Sequence, residues 1–177
     1  MPENLFQSPD CRYGLHIPET EMRRILAHCR DARSCETGGI LIGRYSNAHD
    51  WAIVSETTGP PSDSQRGWNW FRRGIRGLQQ LLNRIWRRSR LFYLGEWHFH
   101  PNAPPSPSGR DIAQMKSIAT TAHYRCPEPV LLIVGGDPNG EWTARAFVSR
   151  RGDETIELRH ADKQPVSTTT LDGSRKP

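Results

Sequence analysis

A chain of 177 residues fits one domain better than two, and it can bury a core without covalent staples. Its four cysteines, Cys11, Cys29, Cys35 and Cys126, form no C-x-x-C pair, so they read as reduced thiols of a cytoplasmic protein rather than a secreted disulfide framework. The net charge of +5 admits an acidic partner but comes with no nucleic-acid-reading motif, and no apolar run approaches the roughly 18 residues of a membrane span, so neither nucleic acid nor membrane is an expected partner.

Residues 1–13 read as an irregular lead-in without a signal-peptide core, and GLHI (14–17) as a short strand. Pro18 opens a helical pattern in which Met22, Ile25, Leu26 and Cys29 recur on one face. GGILIG (38–43) and WAIVSETTG (51–59) read as a strand pair, and GPPSDSQRG (59–67) as a loop. A helical period over about 70–89 places Ile75, Leu78, Leu82 and Ile85 on one side and arginines on the others, with Trp68, Trp70 and Trp86 expected in the core or lining a groove. LFYLGEWHFH (91–100) is strand-like, PNAPPSPSG (101–109) a stiff loop, and 109–124 a helix. PVLLIVGG (129–136) reads as a buried strand and EWTARAFVS (141–149) as a more exposed one. The mixed order predicts an α/β (α+β) fold, with one domain over 14–151 and a polar, mobile tail over 152–177.

The chemistry concentrates in the segment from His98 to Asp111. On a strand, residues two apart share a face, so His98 and His100 converge while Phe99 turns into packing. Two imidazoles can share one ion, and a catalytic zinc site adds a third protein ligand and leaves a position open. Asp111 supplies that ligand if a helix begins near Ser108. The intervening prolines cross from strand to helix with few conformers, so the carboxylate is placed with little entropy left to lose. Glu36, just before the GGILIG strand, is the candidate general base, and the Ser108 hydroxyl can donate to a developing oxyanion. Ser108 and Asp111 also read as a capping box, and both roles are compatible. Glu96 shares the face of the histidines and reads as structural or as an outer partner of the site.

ETGGILIG (36–43) with HFHPNAPPSPSGRD (98–111) resembles the signature of the JAMM/MPN family: a glutamate, then H-x-H-P, with seven residues between the second histidine and a serine, and an aspartate three beyond that serine. The resemblance implies a mixed β-sheet flanked by helices in a cytidine-deaminase-like layout. It implies a zinc metalloprotease with one Zn²⁺ per chain on His98, His100 and Asp111, Glu36 as base and Ser108 as oxyanion donor. Phe99 departs from the family's usual small polar residue between the histidines.

A narrower likeness covers YLGEWHFHP, PSPSGRD and CPEPVLLIVGG (126–136), which look similar to bacterial JAB-domain proteins of antiphage islands, nearest to the deconjugase of type II CBASS operons. It implies a protein substrate bound through an extended C-terminal tail, with a nucleotide cyclase as the conjugated protein. Other readings are a non-catalytic MPN interaction module, which would lack one of the five residues, and a peptidase processing a sulfur carrier or another ubiquitin-like protein. A zinc deaminase needs H-x-E and P-C-x-x-C, and neither motif occurs.

Overall fold

The computed structural model describes residues 4–151 and 154–161. Strands β1 (Asn4–Gln7) and β2 (Gly14–Ile17) lead into helix α1 (Glu19–Ala32), followed by β3 (Thr37–Tyr45) and β4 (Trp51–Thr57). A small hairpin, β5 (Gln65–Arg66) and β6 (Phe71–Arg72), precedes α2 (Leu78–Ser89). The second half runs β7 (Phe92–Pro101), α3 (Gly109–Thr120), a short 3₁₀ turn, β8 (Val130–Gly136), β9 (Trp142–Ser149) and β10 (Thr155–His160). The fold is mixed α/β, as expected from the order of elements.

The large sheet closes into a barrel in the order β1-β10-β9-β8-β7-β3-β4-β2. β7 pairs antiparallel with β3 and parallel with β8, and β2 pairs parallel with β4. Alternation along β7 and β8 separates two apolar clusters. Trp97, Phe99, Leu132 and Val134 join α1 residues Met22, Ile25, Leu26 and Cys29 in one cluster. Leu131 and Ile133 join Leu78 and Ile85 of α2 and Met115 and Ile118 of α3 in the other. Burying each such aliphatic side chain stabilises the fold by roughly 1.5–3 kcal/mol.

A bulge sets which face of β7 carries the histidines. Leu41 pairs with Gly95 but Ile42 pairs with Tyr93, so the register slips at Leu94. Gly95 takes up the slip at φ +153, where a Cβ would collide with the Val130 carbonyl oxygen. Beyond it, Glu96, His98 and His100 point to the side of α2 and α3.

Four expectations need correction. The lead-in over 1–13 contains β1, with Leu5 and Phe6 buried, and the polar tail contains β10, with Leu158 buried. Each strand has few core-facing residues, so its apolar signal is faint. Residues 162–177 of the expected tail lie outside the described residues. The helix expected from about 70 starts only at Leu78, because Phe71–Arg72 pairs with β5 and Gly77 sits at φ +74 as the N-cap. The Asp63 carboxylate accepts from the Ile75 and Arg76 amides and holds that turn, leaving Ile75 71% exposed instead of packed. Of the two places expected for the tryptophans, core or groove, the core is excluded: Trp68 is 76% exposed, and Trp70 and Trp86 are also exposed.

Candidate metal centre

His98 and His100 lie two apart on β7 and are both buried. Asp111 comes from the first turn of α3. Ser108 caps that helix: its Oγ accepts from the Asp111 amide at 3.2 Å, and its own amide donates to Asp111 Oδ2 at 2.6 Å. The reciprocal cap fixes the carboxylate before any ligand arrives. Gly135 of β8 lets the proline-rich loop lie against it, since a Cβ there would strike the Ala103 carbonyl and Pro105.

One ligand atom from each of His98, His100 and Asp111 lies within 4.8 Å of the others. His98 Nδ1 is 2.7 Å from Asp111 Oδ1, and His100 Nε2 is 3.8 Å from Asp111 Oδ2. Burial opposes ionisation of Asp111, yet its bonds to His98 and Ser108 outweigh burial and hold it at about 2. Burial lowers His100, which favours the neutral imidazole a metal requires. Burial also pulls His98 down, but Asp111 and Glu96 on its two nitrogens more than offset this and hold it at about 9. The pocket thus favours positive charge between two carboxylates. Two imidazoles and an ionised carboxylate converging there fit a borderline transition-metal ion.

Glu36 precedes β3, whose register sets Thr37 against Phe99 and Gly38 against His98. Its amide donates to the Gly67 carbonyl at 2.9 Å, tying it to the β5–β6 hairpin. Its carboxyl is half-buried and pushed above the usual glutamate value, first by burial and then by the charge of Asp111. The fold therefore brings Glu36 and Ser108 to the same site as the three ligand candidates. Ser108 is exposed, and because its Oγ accepts from Asp111, its hydroxyl hydrogen is left for another acceptor.

Sequence reasoning placed Glu96 beside the histidines as a structural or outer partner, but it missed the residues that hold Glu96 there. Glu96 is fully buried and accepts from Arg73, Tyr93 and Gln114 while facing His98. Phe71 meets the His98 ring edge-on at 5.6 Å. Gln114 lies one turn after Asp111 on α3, a spacing that could have marked it. Arg73, 23 residues from Glu96, had no such signal.

A family model described as prokaryotic homologues of the JAB domain matches residues 18–148, a span that holds all five candidate residues. The chain belongs to the prokaryotic JAB-domain family. This JAB domain is 46% identical over 154 residues to a protein of Enterobacter hormaechei subsp. hoffmannii named CD-NTase/cGAS isopeptidase, covering 87% of this chain and 85% of that one. It is 29% identical over 150 residues to a probable metalloprotease, y4qB, of Sinorhizobium fredii, covering 78% and 91% of the two chains. The solution structure of protein DSY2949 from Desulfitobacterium hafniense shares its fold, with a TM-score of 0.61 at 23% identity over 84% of this chain and 92% of that one. These relatives support the JAMM/MPN recognition and a deconjugase class for the JAB domain.

Proposed function

We propose that the JAB domain is a zinc-dependent isopeptidase that releases a protein conjugated through its C-terminus, with a nucleotide cyclase as that protein. The convergence of His98, His100 and Asp111 within 4.8 Å, beside a half-buried glutamate, carries the reading. The relative named CD-NTase/cGAS isopeptidase directs the choice of substrate, and the sequence likeness to JAB-domain proteins of antiphage islands adds a role in antiphage defence.

In this reading His98, His100 and Asp111 hold one zinc ion. Bound there, zinc supplies Lewis-acid polarisation of the scissile carbonyl and acidifies water toward neutrality. Glu36 accepts the proton of the attacking water and delivers it to the departing amine. Its raised pKa suits both halves of that task. Ser108 donates its free hydroxyl hydrogen to the carbonyl oxygen as negative charge builds there. The Asp111 amide, donating to Ser108 Oγ, holds that oxygen in place, while the Ser108 amide orients the Asp111 carboxylate.

A tail strand cannot add beside β7, because β3 and β8 occupy both of its sides and the sheet is closed. The two-stranded β5–β6 hairpin has outer edges and reaches the site through Gly67 and Phe71. It is where an extended tail pairs through its backbone, with the exposed Trp68 and Trp70 beside it. The test offers zinc-loaded protein a nucleotide cyclase fused through its C-terminus to a reporter, next to a ubiquitin fusion. Selective release of the cyclase is the expected result. Cleavage of neither fusion would overturn the substrate.

A further inference from the structure

We infer that Glu96 is a positioning residue for the metal centre, the outer carboxylate that orients His98, and that Arg73 holds it in that role. The inference rests on the metal-centre reading above and goes beyond it, to residues outside the ligand cluster.

A neutral imidazole offers a metal one nitrogen lone pair, so its other nitrogen carries hydrogen and needs an acceptor. His98 turns Nδ1 toward Asp111 and the ligand cluster, at 2.7 Å, and Nε2 toward Glu96 Oε2, at 3.4 Å. The acceptor on the inner side is thus a buried carboxylate. Such a partner fixes the tautomer and the ring plane and raises the basicity of the ligating nitrogen. Phe71, edge-on at 5.6 Å, limits the ring's remaining freedom.

Glu96 itself is held from several sides, and each of its other partners is a donor. Oε1 accepts from Arg73 at 2.8 Å and from the Tyr93 hydroxyl at 3.2 Å, and Oε2 accepts from the Gln114 amide at 2.5 Å. Arg73 is buried too, and its remaining nitrogens go to the Gly74 carbonyl at 3.0 Å and the Tyr124 hydroxyl at 3.2 Å. A fully buried carboxylate needs this compensation to stay ionised. An amide in its place has one acceptor oxygen for two groups of donors. Arg73 keeps that oxygen, and the NH₂ group then faces Gln114 and His98. Facing a donor, His98 must change tautomer or turn away.

The experiment measures zinc affinity by competition with a chromophoric chelator, alongside the melting temperature of each metal-free protein. Glu96→Gln weakens zinc binding by roughly ten- to a hundred-fold. Because that variant leaves the buried Arg73 cation without an opposing charge, the Arg73→Met/Glu96→Gln double variant separates positioning from stability. Removing both charges recovers most of the melting temperature. Zinc affinity stays low in the double variant, since a neutral amide oxygen, even when turned toward His98, does not raise the basicity of the ligating nitrogen as a carboxylate does. Recovered affinity in the double variant would overturn the inference, and so would wild-type affinity in Glu96→Gln. His98→Ala runs beside them and loses the zinc. Wild-type affinity in Glu96→Gln with loss in His98→Ala sinks the role of Glu96 alone, whereas zinc retained in His98→Ala overturns the metal centre with it.

Discussion

Glu36 must be basic enough to take a proton and acidic enough to give it back. Its surroundings lift it above 4.5 through burial first and the negative Asp111 second. In metal-free protein, an NMR titration of the Glu36 carboxyl therefore has its midpoint above that value, and below the midpoint the group is a neutral acid. Zinc adds positive charge beside Asp111, so loading moves the midpoint down. A midpoint at the ordinary value in the metal-free protein, or an upward move on loading, contradicts this account. Glu36→Gln retains zinc and lowers kcat by about a hundred- to ten-thousand-fold, and wild-type turnover in it would remove Glu36 from the chemistry. Ser108 separates into its two roles by substitution. Ser108→Ala destabilises the protein by about 1 kcal/mol through the lost cap, while Ser108→Gly does so by only a few tenths. Both lose the same oxyanion donor, worth about 3 kcal/mol in kcat. Chemical denaturation should thus separate the two variants while turnover should not. The five candidate residues were legible in the sequence because each lies at a short, patterned spacing or beside a recognisable strand. Arg73 and Phe71 were not, because they reach Glu96 and His98 from a hairpin with no periodic signal.

Among the elements, β7 decides the site, and the bulge at Leu94 and Gly95 decides how β7 presents it. Period-2 alternation correctly placed Glu96, His98 and His100 together, since all three follow the bulge. The bulge itself was invisible in YLGEWHFH, because one glycine in a strand has several uses. Gly95→Ala meets the Val130 carbonyl at a backbone angle that favours glycine. The cost exceeds about 1 kcal/mol, and relief comes by shifting β7 against β8 or by straightening the bulge. Either route disturbs the face that carries both histidines. The variant should melt lower and bind less than stoichiometric zinc. An unchanged melting temperature would mean the strand has room that the geometry denies. Helix α2 shows the opposite failure of pattern reading. Leu78, Leu82 and Ile85 have the helical period, but Ile75 belongs to the Asp63-held turn. Continuing the period across Gly74 and Gly77 made the helix too long.

At the scale of the molecule, closure of the sheet is what the sequence disclosed least. The central strands are continuous aliphatic runs and were readable. The closing strands β1 and β10 are short, and only some of their side chains reach the core. β10 joins β9 to β1, with Leu158 buried beneath it and Phe6 packed on the His160 ring at 4.5 Å. Closure matters because an open sheet would leave β1 and β9 with unpaired amides and carbonyls, a template for joining other chains. Leu158→Asp puts a carboxylate into the apolar cluster. That burial costs several kcal/mol, more than a strand of this length recovers, so β10 leaves its place. The site-bearing strands β3, β7 and β8 keep their mutual pairs, so zinc binding persists while the exposed edges associate. Light scattering should show mass rising with protein concentration, at zinc occupancy close to wild type. A variant that stays monomeric would show that β10 does not guard those edges, and one that loses its zinc would show that closure also holds the metal centre in shape.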